Sequence, residues 1–264
     1  MNLQILLSAM FLKDENYIDT LNIKSDTVIV NQCDTEVQRV SEHTCSDGTI
    51  VKTTYIETKE RGLSKSRNMA IANADHDICI LCDNDVEYCN GYEEMILSSF
   101  NEHPEADLIV FYIKRPERLQ PNYSAEKKMG YLSVLKIFSP EIAFRRSSVS
   151  DVKFMEQFGA GAKYAMGEEN IFLYDCLKKG KTILYVPKQI ATLREEESTW
   201  FKGYGKDFFV ARGANYAAMS GFFSHLLIWQ FALRKKSLYR DNMTMGAALG
   251  AMYKGRKEYL SECK

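Results

Sequence analysis

Residues 61–88 read RGLSKSRNMAIANADHDICILCDNDVEY, and the order of elements in this stretch decides the fold. It divides into a loop, a helix, a short apolar strand and an acidic loop. Gly62 supplies a turn, and Ser64 is placed as an N-cap. Met69, Ala70, Ile71 and Ala74 recur at the three-to-four spacing of an apolar helix side. Residues 77–82 (DICILC) have the length of a buried parallel strand, and the run stops abruptly at Asp83, Asn84 and Asp85. Carboxylates just past the carboxyl end of a buried strand stand where open α/β sheets bind ligands.

Two electrostatic oddities in this stretch point to function. Lys65 and Arg67 fall in the first helical turn, where the macrodipole disfavours a cation by ~0.3–1 kcal/mol. A bound anion such as a diphosphate would relieve that cost. Asp83 and Asp85 crowd two negative charges onto one loop, and a divalent cation would relieve the crowding. The plain alternatives are a solvated basic turn and a polar loop. Lys65 reads as solvated; Arg67 and the two aspartates together read as functional.

The sequence GLSKSRN followed by CDNDV resembles the core of a family 2 glycosyltransferase, an inverting enzyme of the GT-A fold and of the kind that builds bacterial polysaccharides. In that family a G-x-x-x-x-R-N segment precedes a strand ending in D-x-D. The similarity runs over the first three quarters of the chain. It implies an α/β, Rossmann-like, mixed but mainly parallel sheet flanked by helices over residues 1–198, and a C-terminal helical extension over 199–264. It also implies Mn²⁺ or Mg²⁺ held by Asp85, with Asp83 reaching the metal through water or the donor ribose. Arg67, Asn68 and Asn84 are implied donor contacts. Family members often add a histidine ligand after the last core strand, where this chain has Thr192, Leu193 and Arg194.

Taken in order, residues 3–7 read as the first strand, with Ser8 at its carboxyl end where the family contacts nucleotide. The family's P-x-Y-N-like sequence is replaced there by SAMF. Residues 26–31 (DTVIVN) read as the second strand. Asp34 follows it, either as the family's base-contacting aspartate or as an N-cap. Residues 49–57 read as the third strand. A helix over 91–101 should bury Tyr92, Met95, Ile96 and Phe100, and residues 107–113 form another strand. Residues 114–136 read as an irregular, solvated excursion on the acceptor side. Residues 141–146 (EIAFRR) resemble the family strand that follows the metal motif. Gly167-Glu168-Glu169-Asn170 opens a helix that ends at Lys178, Lys179 and Gly180, with cations and glycine placed as a C-terminus requires. This start resembles the family's G-E-D element. It puts Glu169 on the catalytic base and leaves Glu168 to orient the acceptor or hold the loop. Residues 182–186 read as a strand stopped by Pro187.

From Thr199 onward the composition turns aromatic and small. Residues 217–233 are strongly apolar but only 17 long, at the bottom of the spanning range, and basic residues follow them. The segment reads as a helix packed on the core or lying on an anionic membrane surface. The whole chain has 264 residues, a net charge of −1 and 26% charged residues, which excludes an electrostatic nucleic-acid binder. The N-terminus reads as having no signal peptide. Seven cysteines form no disulfide scaffold; Cys79 and Cys82 should point to opposite faces of their strand, as free thiols of a cytoplasmic protein.

The leading expectation is transfer of a sugar from a nucleotide-sugar, by resemblance a UDP-sugar, to a hydroxyl of a glycan or lipid-linked glycan at the inner face of the membrane. The alternatives are a sugar-nucleotide nucleotidyltransferase and a non-catalytic glycan- or partner-binding member of the fold. No G-x-x-x-x-G-K-[ST] occurs, which disfavours a P-loop enzyme.

Overall fold

A computed structural model of the chain describes residues 1–14, 16–45, 47–194 and 203–262. In chain order the elements are β1 (Leu3–Met10), α1 (Tyr17–Thr20), β2 (Thr27–Gln32), β3 (Val37–Thr44), β4 (Ile50–Thr58), α2 (Leu63–Asn73), β5 (Ile78–Asp83), β6 (Val86–Tyr88), α3 (Tyr92–Glu102), β7 (Leu108–Lys114), β8 (Lys127–Lys128), β9 (Ile142–Arg145), α4 (Glu168–Lys178), β10 (Ile183–Leu193), α5 (Lys206–Met219), α6 (Ser224–Arg234), α7 (Lys236–Tyr239) and α8 (Met245–Glu262).

The strands form one mixed sheet in the order β3-β4-β2-β1-β5-β9-β7-β10-β6, with β8 pairing β10. Its centre is parallel: β1 lies between β2 and β5, and β2 also pairs β4. Strands covered on both faces need continuous apolar runs, and the residues of β5 before Asp83 are all fully buried. Ile5, Leu7, Ile29, Ile80 and Cys82 join one core cluster together with Phe100 of α3 and Phe111 of β7. Cys79 is equally buried but lies outside that cluster, as a residue on the opposite face should. Burial pushes its thiol up to about 12, so it is inert at neutral pH.

Three elements differ from the sequence expectation. Strand β3 was not expected; it pairs antiparallel with β4 at the sheet edge and leaves Val37 and Val40 exposed, so it carries no apolar run to detect. Strand β10 continues through Pro187 to Leu193. Its register with β7 shifts between Tyr185 and Gln189 and again before Ala191, an irregularity that accommodates a residue unable to donate. The apolar run 217–233 is two helices: α5 ends at Met219, Ser220 is extended, and α6 begins at Ser224. Among the described residues no helix is long and apolar enough to cross a membrane.

The described residues fall into two compact units. The first comprises Met1–Arg61, Lys65–Phe154 and the described part of Leu173–Glu196; it contains the sheet. The second comprises Gly62–Ser64, Met155–Phe172 and the described part of Glu197–Lys264. The expected division after residue 198 lies outside the described residues.

Within the second unit, α5 and α8 cross at two glycines. A Cβ on Gly213 would stand 1.8 Å from the Met252 carbonyl oxygen, and one on Gly255 would stand 1.9 Å from that of Val210. Backbone meets backbone there, so the helices must part to admit a methyl group. Gly213→Ala or Gly255→Ala should each lower stability by about 1–3 kcal/mol in urea unfolding. Gly250 of α8 has no atom within 4 Å of its would-be Cβ, so Gly250→Ala should stabilise by up to about 1 kcal/mol. Equal effects of the α8 substitutions at 250 and 255 would contradict this packing.

Candidate active site

The chain leaves β1 toward β2 on one side and later returns to β5 on the other, so the sheet switches direction around β1. A crevice at the carboxyl ends of such strands is the ligand position of open α/β sheets. Ser8 of β1 and Asp83 of β5 are register partners at that point. Asp83 ends its strand, and Asn84 and Asp85 form the turn into β6. The turn is held from two directions. The Tyr17 hydroxyl donates to the Asn84 carbonyl at 2.9 Å, and the Arg194 N–H donates to the Asp85 carbonyl at 2.8 Å. Antiparallel pairing of β6 with β10 brings Arg194 there, and its Nε also donates to Glu87 at 3.2 Å. Asp83, Asn84 and Asp85 are each half-buried.

Arg67 is 1% exposed, a rare position for a cation. Its Nη2 donates to both Asp83 oxygens, at 3.0 and 3.3 Å, and to the Ser139 hydroxyl at 2.8 Å. Its guanidinium also lies 5.5 Å from the Phe154 ring centre. The anion that sequence reasoning sought for this helix start is therefore supplied, within the chain, by Asp83. Next to it the Ser66 hydroxyl donates to Ser8 at 2.9 Å. The Asn68 amide clasps the Phe154 backbone, donating to its carbonyl at 2.9 Å and accepting from its N–H at 2.8 Å. The buried side of α2 is thus Ser66, Arg67, Ala70 and Ala74, while Met69 and Ile71 are only half-buried. Ser64 lies inside the first turn instead of capping it, and its hydroxyl donates to the Phe158 carbonyl at 2.7 Å. Lys65 is half-buried, 3.9 Å from Glu60.

Asp34 is exposed and pairs at 2.7 Å with Arg61, a residue that sequence reasoning passed over. Arg61 also donates to the carbonyls of Cys33, at 2.9 Å, and Thr58, at 3.2 Å, so it ties the ends of β2 and β4 together. Its guanidinium lies 5.4 Å from the ring centre of Phe11, which is 59% exposed. Phe11 holds a left-handed φ of 51°, and buried Asn31 fixes the next residue by accepting from the Leu12 N–H and donating to its carbonyl. An apolar ring forced outward after β1 was the available signal: SAMF carries a Phe where the strand has already ended.

In the second unit, Glu168 and Glu169 open α4. Glu168 is 5% exposed and lies against Gly159; a Cβ there would come within 3.2 Å of its carboxylate. Gly159 has φ 101°, which a side chain would in any case strain. The Gly167 carbonyl accepts from the buried Asn215 amide at 2.8 Å, and a Cβ on Gly167 would stand 2.3 Å from that nitrogen. Glu169 is half-buried, the more accessible carboxylate of the two. Both lie in the first turn of the helix, where a negative charge complements the macrodipole.

Residues 28–159 match the sequence family described as Glycosyl transferase family 2. The chain belongs to that family. It is a glycosyltransferase, and its mainly parallel sheet flanked by helices is the GT-A fold. The fold is similar to that of S. aureus TarS 1-349 in complex with UDP-GlcNAc, at TM-score 0.62 and 13% identity, covering 99% of this chain and 83% of that one. It is also similar to the mannosyltransferase PcManGT from Pyrobaculum calidifontis in complex with GDP-Man and Mn2+, at TM-score 0.55 and 10% identity, covering 100% and 88%. No curated protein matches the chain in sequence. For this family 2 glycosyltransferase, Asp83 and Asp85 offer hard oxygen ligands on one turn, a set that fits Mg²⁺ or Mn²⁺. No cluster of three metal-binding side chains forms around them among the described residues, so most of an ion's ligands must come from elsewhere.

Removing one member of a buried ion pair strands the other, at about 3–5 kcal/mol. Arg67→Ala should lower unfolding stability by that order, and Arg67→Lys should recover only part of it, because the shorter lysine does not carry its nitrogen to the Nη2 position and loses the planar group near the Phe154 ring. A variant with parental stability in urea unfolding would show that the pair holds nothing.

Proposed function

We propose that the chain transfers a sugar, with inversion of the anomeric centre, from a nucleotide diphosphate donor to a hydroxyl of a glycan or lipid-linked glycan. The observation that carries this reading is the Asp83-Asn84-Asp85 turn at the sheet's switch point, held by Arg67 in a chain of this family. UDP and UDP-GlcNAc, bound in structures of TarS, favour a uridine donor. A lipid-linked acceptor would place the reaction at the cytoplasmic face of a membrane.

Each polar group then has a task. Phe11 offers an exposed ring for stacking the nucleobase, and the Arg61–Asp34 pair offers hydrogen bonds at its edge. Ser8 lies beside the donor phosphates, tied to Ser66. Asn84 lines the same turn. Asn68 acts through the Phe154 backbone that it holds. Asp85 ligates the divalent ion directly, and Asp83, oriented by Arg67, reaches the ribose or the ion's water. The ion would neutralise the departing diphosphate. Glu169 takes the acceptor proton on the opposite face of the sugar. Buried Glu168 shapes the loop at Gly159 beside it.

Asp85→Ala should abolish Mn²⁺-dependent UDP binding in calorimetry; unchanged binding removes Asp85 from the site. Glu169→Gln should leave donor binding near parental and cut transfer ~10²–10⁴-fold. Parental turnover in that variant, or a product keeping the donor's anomeric configuration, overturns the assignment. Pyrophosphate release with formation of a sugar nucleotide would establish the nucleotidyltransferase alternative instead.

A further inference from the structure

Helix α6 is apolar on both sides, and only one side is covered. Leu227, Ile228 and Ala232 face inward and are at most 4% exposed. Leu226, Trp229 and Leu233 recur at intervals of three and four residues, which places them on one face of the helix. They are 64%, 45% and 59% exposed, and Phe222 and Phe223 in the turn just before the helix are 83% and 59% exposed. A helix that is apolar all round belongs in a buried setting, and a contiguous exposed row of this size marks an interaction surface.

The charge around the row says what covers it. Residues 208–240 contain no Asp or Glu, and Arg234, Lys235 and Lys236 follow the row directly and are all exposed, while Arg240 further on pairs with Asp241 at 3.7 Å. Apolar side chains with a tryptophan among them, followed directly by three cations, complement the acyl boundary and anionic headgroups of a membrane leaflet. Spanning is excluded by length: at about 1.5 Å per residue, the 11 residues of α6 reach roughly half of a hydrocarbon core. A second copy is the poorer occupant. It would bring the same three cations, Arg234, Lys235 and Lys236, with no carboxylate within residues 208–240 to meet them, and lysine is depleted from protein interfaces.

We propose that this outward face of α6, with the cations of its carboxyl end and of α7, docks the protein on an anionic membrane surface as an interfacial helix. The inference stands on the surface itself and does not depend on which sugar is transferred.

Flotation with vesicles tests it. The full chain should float with phosphatidylcholine–phosphatidylglycerol vesicles at low salt, stay down with phosphatidylcholine alone, and be released at high salt. Leu226→Glu with Trp229→Glu should abolish flotation. Lys235→Glu with Lys236→Glu should weaken it by at least about tenfold. All four side chains are exposed, so the melting temperature should not move. In a Trp200→Phe background the emission of Trp229 should shift to the blue on adding anionic vesicles. A protein that stays down with anionic vesicles at low salt overturns the proposal. So does a solution dimer that Leu226→Glu with Trp229→Glu converts to monomer, which would assign the face to a second copy.

Discussion

The ion pair between Arg67 and Asp83 is the constraint on which the first unit's site depends. Helix α2 starts at Leu63, so Arg67, expected in its first turn, is the fifth residue, where the dipole effect has fallen off. The pairing with Asp83 instead fixes where α2 lies against the end of β5. It also fixes Asp83 itself, because both its oxygens are engaged and Ser139 holds the same nitrogen from the β9 side. On the proposed reading the turn gains from such pre-positioning, since a carboxylate free to swing would have to be ordered at every encounter with donor.

What was legible in the sequence was whatever an apolar run announces. Strands β1, β2, β5 and β7 are buried on both faces; β2, β5 and β7 lie within a residue of the expected bounds, whereas β1 runs past its expected end at Leu7 to Met10. The acidic turn was legible because those runs stop at it. What failed were the positions where polar groups are buried by pairing. Arg67 read as a cation awaiting a ligand because no local pattern reveals a partner 16 residues away. The excursion 114–136 read as solvated for the same reason. Arg118 there pairs with Glu141, a fully buried carboxylate 23 residues on. Burial lowers the Arg118 pKa, and the neighbouring charge of Arg115 lowers it further. Strand β3 failed differently: an exposed edge strand is defined by its partner β4, not by its own composition.

The second unit is governed by close approach. Gly213 and Gly255 let α5 and α8 touch backbone to backbone, and that crossing buries Asn215, whose amide reaches the Gly167 carbonyl just before α4. The start of α4, with its two glutamates, is thereby tied to a helix pair far along the chain. The nearest neighbour of a Cβ on Gly167 would be the Asn215 side chain. The glycine is needed there so that the amide can come close, and its φ of 81° suits no other residue as well.

The replacement of the family's usual histidine by Thr192-Leu193-Arg194 completes the electrostatic argument. Pairing of β6 with β10 sets this segment directly beside the acidic turn, with the Arg194 N–H on the Asp85 carbonyl. A histidine there could ligate a cation; an arginine has five donors and no acceptor, and this one is paired with Glu87 at 3.2 Å. On the proposed reading, the protein alone therefore holds a divalent ion weakly, and the diphosphate must supply the missing oxygens. A guanidinium is in turn well suited to that diphosphate. Ion and nucleotide then bind as a pair, each raising the affinity of the other by the same factor. On that reading the substitution would shift part of the metal's ligation from the protein to the donor, and an occupied metal site would be a sign that the donor is in place.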